Sequence, residues 1–241
     1  MQYQFRNNKV YLYSDSHSLS KLHHLIRYTK DIQDSDIVVL GDSFVGVYTT
    51  PATSDAWFLN KINNAAKGRN INLFLIRGNA DNYDIWFKGY EFSNVFLCKD
   101  YSEALFPCGV NALMVGGAVS LDRHTRKNGW DWWSSETTIF RNTAVYFDIL
   151  FCHDAPSYFN KSVDSLWEPK NNKLSFLLKD QNLYIDCQRQ RKIMDKIAEE
   201  IQPRFIFGGH YHNSVQEEYE KTKYRCIGKE ELFCLDATNL S

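Results

Sequence analysis

Several features are scarce or missing in these 241 residues, and each omission excludes a class of protein. The six cysteines, at positions 98, 108, 152, 187, 226 and 234, form no CxxC pair and no dense framework. A disulfide-stapled secreted domain is therefore excluded, and the pattern suits reduced thiols in a cytoplasmic compartment. Proline occurs five times and glycine twelve, with no Pro/Gly-rich linker. The better reading is a single domain over residues 1–241. No apolar run reaches the length of a membrane span, and Met1-Gln2-Tyr3-Gln4-Phe5-Arg6 carries no apolar signal core. The formal net charge is −1, so no overall field exists to hold the protein stably on nucleic acid. The expectation is a soluble, cytoplasmic protein without a membrane partner; its oligomeric state is not legible.

Hydrophobic residues make up 44% of the chain and aromatics 15%, enough to bury a sizeable core. Short apolar runs alternate with helix-length polar segments. Residues 10–13, 37–40, 73–76, 112–115, 147–152 and 205–207 are expected as buried strands. Residues 19–31, 53–67 and 188–201 carry helical spacing. The runs 214–219, 223–227 and 231–235 suggest a small antiparallel set with polar turns. The pattern is that of an α/β chain with sheets inside and helices outside.

The chemistry is concentrated at the strand ends. Strand after strand runs into a metal-competent group: Asp15-Ser16-His17, Gly41-Asp42, Gly78-Asn79, His153-Asp154, then Gly208-Gly209-His210-Tyr211-His212. In open α/β sheets the carboxyl edge is where ligands gather. A two-metal site needs a bridging carboxylate, imidazoles and a carboxamide oxygen, with positions left for water and substrate. Asp15, His17, Asp42, Asn79, His153, His210 and His212 form such a set. Any one of these elements is common by chance; five in order, each after an expected strand, are not.

Together these residues resemble the signature of the calcineurin-like metallophosphoesterase superfamily. A bacterial and phage-type subgroup is also similar in the run Gly116-Gly117-Ala118-Val119-Ser120-Leu121-Asp122-Arg123, followed by Trp130-Asp131-Trp132-Trp133. The resemblance implies a four-layer sandwich of two mixed β-sheets flanked by α-helices. It implies that Asp15, His17 and His212 hold one metal, that Asn79, His153 and His210 hold the other, and that Asp42 bridges them. A hydroxide between the ions would attack phosphorus in line. Manganese, iron, zinc, nickel and magnesium occur in such sites, and mixed N/O ligation favours transition ions, manganese first.

One position departs from the family pattern. The usual Gly-Asn-His-Asp is Gly78-Asn79-Ala80-Asp81 here, so the catalytic histidine position holds Ala80. That histidine is not a metal ligand. Its loss should spare metal binding and cost the roughly 10²–10⁴-fold of general acid catalysis. Ala80 is then a substitution made to slow turnover, a natural change with another proton donor, or the mark of a binding protein. All seven ligands are kept, which favours an otherwise competent enzyme of reduced activity.

The expected substrate walls are loops at about 117–135 and 155–187. In the first, Arg123, His124 and Trp130 are the candidates to hold a phosphate or stack on a base. The alternative is that its tryptophans pack the loop while its charges face water. The second carries Tyr158, Phe159, Lys161, Trp167, Lys170 and Lys173 and suggests a long surface excursion. Arg189, Arg191 and Lys192 are expected on a solvated helix face, and His23 and His24 away from the site. Asp42 is not followed by the Asp-Arg-Gly of protein phosphatases, so a phosphorylated small molecule or nucleotide is the favoured partner. The other class of function is a non-catalytic metal- or nucleotide-binding scaffold.

Overall fold

Runs such as Ile37-Val38-Val39-Leu40 and Leu73-Phe74-Leu75-Ile76 are buried on both faces, and the fold shows what covers each face. The computed structural model describes residues 1–47, 54–86, 90–163 and 179–240. Its strands are β1 (Gln2–Gln4), β2 (Lys9–Tyr13), β3 (Asp36–Leu40), β4 (Asn72–Ile76), β5 (Val95–Leu97) and β6 (Ser102–Leu105). They continue as β7 (Asn111–Val115), β8 (Ile149–Cys152), β9 (Phe205–Gly208), β10 (Val215–Tyr219), β11 (Thr222–Cys226) and β12 (Leu232–Asp236). Its α-helices include α1 (Leu19–Tyr28), α2 (Asp55–Gly68), the short α3 (Tyr83–Trp86) and α4 (Leu183–Ile201).

Two mixed sheets result: seven strands ordered β1-β6-β7-β8-β9-β11-β10, and five ordered β12-β2-β3-β4-β5. Alternate residues of each central strand face opposite ways. Val10, Leu12, Val38, Leu40, Phe74 and Ile76 meet Ala112, Met114, Ile149, Phe151 and Phe207 between the sheets. Ile37, Val39, Leu73 and Leu75 face the other way, onto Leu22 and Ile26 of α1 and Leu59 and Ile62 of α2. Leu113, Leu150 and Ile206 similarly receive Met194, Ile197 and Ile201 of α4. The result is the expected four layers, two sheets with helices on both outer faces.

The C-terminal strands differ from the expected separate antiparallel set. Of these three strands, only β10 and β11 form an antiparallel hairpin. β11 then lies parallel to β9 in the larger sheet, while β12 crosses to the smaller one and pairs antiparallel with β2. Alternation within a short strand indicates which face it buries and carries nothing about which sheet it joins. β1, β5 and β6 were not expected at all: each has three or four residues and lies at or next to a sheet edge.

Two further expectations are corrected. Arg191 is not on a solvated face: it is buried and donates to the carbonyls of Ala155 at 3.3 Å, Pro156 at 2.9 Å and Phe159 at 2.6 Å. The start of the 155–187 segment is core rather than surface excursion, since Phe159 is buried and stacks on Tyr224 with centroids 4.8 Å apart. Trp167, Lys170 and Lys173 lie outside the described residues. The segment closes in α4, which starts at Leu183 rather than 188.

Candidate metal centre

Five parallel strands deliver the seven residues singled out from the sequence to one end of the sandwich. β2 leads into Asp15 and His17, β3 into Asp42, β4 into Asn79, β8 into His153, and β9 into His210 and His212. Asp15, Asp42, Asn79, His153 and His210 are buried, His17 is partly buried, and His212 is exposed at the rim.

The backbone here is held in an unusual state. Asp15, His17, Asp42, His210 and His212 have φ of 54°, 46°, 53°, 69° and 59°, in the left-handed region that L-residues seldom adopt. Such conformations persist only where surroundings over-determine them, and they cluster at functional sites. Bonds between the ligand loops supply that constraint. The amide of Asp15 donates to Gly41 O at 3.3 Å, that of His17 to Asp42 O at 2.8 Å, and that of Gly209 to His153 O at 3.0 Å. The His210 amide donates to Asp15 Oδ2 at 3.0 Å. Gly41, at φ 93°, is needed both for its turn and for space, because a Cβ there would strike the His153 imidazole.

Two ligand groups converge. Asp15, His17 and His212 form one; Asp15, Asp42 and His153 form the other, each with donor atoms within 4.8 Å of one another. His17 Nε2 and His212 Nε2 are 2.9 Å apart, and His212 Nε2 is 3.4 Å from Asp15 Oδ1. Asp42 lies between: Oδ2 is 3.8 Å from His17 Nδ1 and Oδ1 is 3.4 Å from His153 Nε2. His153 Nδ1 lies 2.6 Å from Leu40 O, so that nitrogen carries the proton and Nε2 faces Asn79 Oδ1 at 3.0 Å. The His210 and His153 rings are 5.1 Å apart.

These residues fit divalent cations. Lone pairs of Asp15, Asp42, Asn79 and His153 point towards one another, and the buried Asp15 Oδ1 has no hydrogen-bond partner. A positive charge among them resolves both features. Burial opposes protonation of His153, but the Asp42 carboxylate outweighs it and pushes the imidazole up to about 10. Burial likewise opposes ionisation of Asp42, yet the charge of His153 and its hydrogen bond hold the carboxyl well below its usual range. Desolvation lowers His17, against the pull of Asp42 and Asp15.

Several supporting residues were not singled out in the sequence. Asp81 is buried and accepts from the amides of Gly78 at 2.8 Å, Val45 at 2.9 Å and Ser43 at 3.4 Å, which ties the Asp42 loop to the Asn79 loop. Burial and the neighbouring Asp42 charge push it up to about 6. Tyr211 Oη donates to Asp154 Oδ1 and pins the turn between His210 and His212. Arg77 is buried, pairs with Asp100 at 3.1 Å, and donates through Nη1 to Glu136 O at 2.7 Å. Their sequence signal was slight: each adjoins a candidate ligand motif, and Arg77 before Gly78 is a weak likeness to protein phosphatases.

The expected substrate residues are placed less simply. Arg123 donates from Nε to Asp180 at 2.5 Å and from Nη2 to Asp186 at 2.8 Å, which clasps its loop to the start of α4. His124 is partly buried beside it, and Trp130 is 57% exposed with Lys127 Nζ 5.7 Å from its ring centre. Ala80 is buried, and its amide donates to Asp42 Oδ1 at 2.8 Å. His23 is absent from both ligand groups, as is His24, whose ring lies against Tyr28.

Fold and site together define an α/β sandwich with acidic and imidazole candidate ligands gathered at the carboxyl ends of its parallel strands. The chain belongs to the calcineurin-like phosphoesterase family, whose model matches residues 9–214. Among solved structures it is similar to a predicted phosphoesterase from Streptococcus pneumoniae, at 14% identity and a TM-score of 0.34 over 92% of this chain and 73% of that one. A putative 5'-nucleotidase from Staphylococcus aureus matches at 14% identity and a TM-score of 0.47, over 94% of this chain and 50% of that one. Phosphopantetheinyl hydrolase from Mycobacterium tuberculosis matches at 12% identity and a TM-score of 0.45, over 92% and 90% of the two chains. No curated protein matches. Among the described residues no helix is long and apolar enough to cross a membrane.

Proposed function

We propose that this protein is a phosphoesterase working through two divalent ions, manganese favoured, on a phosphorylated small molecule or nucleotide in the cytoplasm. The observation that carries it is Asp42, a buried carboxylate with one oxygen towards His17 and the other towards His153. One ion would be held by Asp15, His17 and His212, the other by Asn79, His153 and His210, with Asp42 shared. Bound divalent ions supply Lewis acidity towards phosphoryl oxygens and an activated water. The chain's own part is to orient: Leu40 O fixes the His153 tautomer, and Asp81 holds two ligand loops at a set distance. The loop at about 117–135 would form the substrate wall, with Arg123, His124 and Trp130 as its contacts, on a single domain spanning 1–241.

The test is metal stoichiometry by calorimetry alongside hydrolysis of a panel of phosphate esters with manganese. Two ions and turnover are expected. Asp42→Asn should weaken both ions and His212→Ala mainly one; a single ion in the native chain, or weakening confined to one ion by Asp42→Asn, would sink the dinuclear assignment.

A binding protein of the same fold is the second reading, and Ala80 is what favours it. The side chain is buried, and an alanine has no proton to donate to a leaving group. Absence of turnover on every ester, with both ions bound, would establish that reading.

A further inference from the structure

Asn79 differs from the other candidate ligands in one respect. A carboxamide has nearly the same shape in two orientations, one presenting oxygen and the other NH₂, and only the oxygen accepts a cation. Something must choose between them. Asn79 Nδ2 donates to Ser120 Oγ at 2.9 Å, which turns Oδ1 towards His153 Nε2, 3.0 Å away. A serine hydroxyl is itself ambiguous, because it donates or accepts as its proton rotates.

Glu136 removes that ambiguity. Its Oε2 accepts the Ser120 hydroxyl at 2.6 Å and its Oε1 accepts the Ser120 amide at 2.9 Å. An ionised carboxylate only accepts, so the hydroxyl proton is committed to Glu136 and the oxygen lone pair faces Asn79. Asn79, Ser120 and Glu136 are all buried. The acid is also fixed in place from the ligand side. Its backbone carbonyl accepts from Arg77, two residues before Asn79, at 2.7 Å and from the Ala118 amide at 3.2 Å.

We propose that Ser120 and Glu136 are positioning residues that set the polarity of the Asn79 carboxamide for a divalent cation. The inference rests on Asn79 being a metal ligand. It also accounts for a motif the site had not used, the serine of the Gly116-Gly117-Ala118-Val119-Ser120 run. Glu136→Gln is the sharp probe because it keeps shape and reverses polarity. The Ser120 amide cannot turn, so it takes the glutamine carbonyl, and the glutamine NH₂ faces the hydroxyl. The hydroxyl then donates to Asn79 and draws NH₂ round towards the cation. Ser120→Ala has no hydroxyl to reverse and should do less.

The experiment is manganese calorimetry at about pH 8 on the native chain, Asn79→Ala, Glu136→Gln and Ser120→Ala, with near-ultraviolet circular dichroism as the folding check. Asn79→Ala should lose one ion of two. Glu136→Gln should bind that same ion roughly 10- to 100-fold more weakly and the other as the native chain does. Native binding of both ions by Glu136→Gln and Ser120→Ala, beside a defective Asn79→Ala, would overturn the relay and leave the metal reading standing. Equal weakening of both ions would mark a merely structural role and overturn it too. A native chain that binds no manganese would overturn the metal reading and the relay together. Should Glu136→Gln fail to fold, Ser120→Ala decides by the same affinity.

Discussion

Asn79 and Asp81 flank an alanine whose side chain is 1% exposed. If the family's missing histidine is the only chemical lack, Ala80→His should raise turnover on alkyl or nucleotide esters by roughly 10²-fold, with metal content unchanged. Activated aryl esters, which need little protonation, should gain least. No gain on any ester, from a variant that melts like the native chain, would favour the binding protein. Glu136 makes a second prediction. In the metal-free chain burial pushes its carboxyl from 4.5 up to about 7, so the folded state keeps a proton that the unfolded state releases. Urea stability should therefore fall as pH rises from 4.5 to about 7 through this group, and Glu136→Gln should flatten that slope. An unchanged slope would mean the carboxyl titrates normally. The seven candidate ligands were legible in the sequence because each follows an expected strand, most of them next to a glycine or two positions from another candidate. Ser120 and Glu136 as partners were not, since they lie 16 positions apart and 41 and 57 from Asn79 and join only when the loop folds back.

Elements show where local pattern stops informing. The buried runs of β2, β3, β4, β7, β8 and β9 were plain because strands covered on both faces are apolar throughout. The three C-terminal strands were legible as strands but not as members of two different sheets. The first substrate loop was expected to aim Arg123 at a phosphate, whereas the folded loop gives that guanidinium to Asp180 and Asp186. Arg123→Ala separates the two roles. A clasp predicts a modest loss of stability, no more than about 1 kcal/mol for a partly exposed pair, and a small change in Michaelis constant. A phosphate contact predicts a several-fold rise in that constant at unchanged stability and metal content. Trp130→Ala, at an exposed position, should raise the constant without touching stability if the loop is a substrate wall.

Across the whole molecule, the layer between the sheets binds both halves of the site into one cooperative unit. Phe151 is fully buried there, its ring 5.9 Å from Phe207, and Phe151→Ala should cost about 3–5 kcal/mol. Thermal unfolding should show one transition shifted down together with metal loss; two separate transitions would mean that the sheets unfold independently. The path of the C-terminal strands has a further consequence, for synthesis. Asp42, Asn79 and His153 are all translated before His210 and His212, and His17 waits for a partner 195 residues further along. β2 likewise lacks its antiparallel neighbour until β12 has been made. A nascent chain therefore exposes five of the seven candidate ligands well before the last two can join them. On the two-metal reading, loading with ions has to wait until residue 212 has been made, and a chain stalled short of residue 210 would offer cations an incomplete, unselective site.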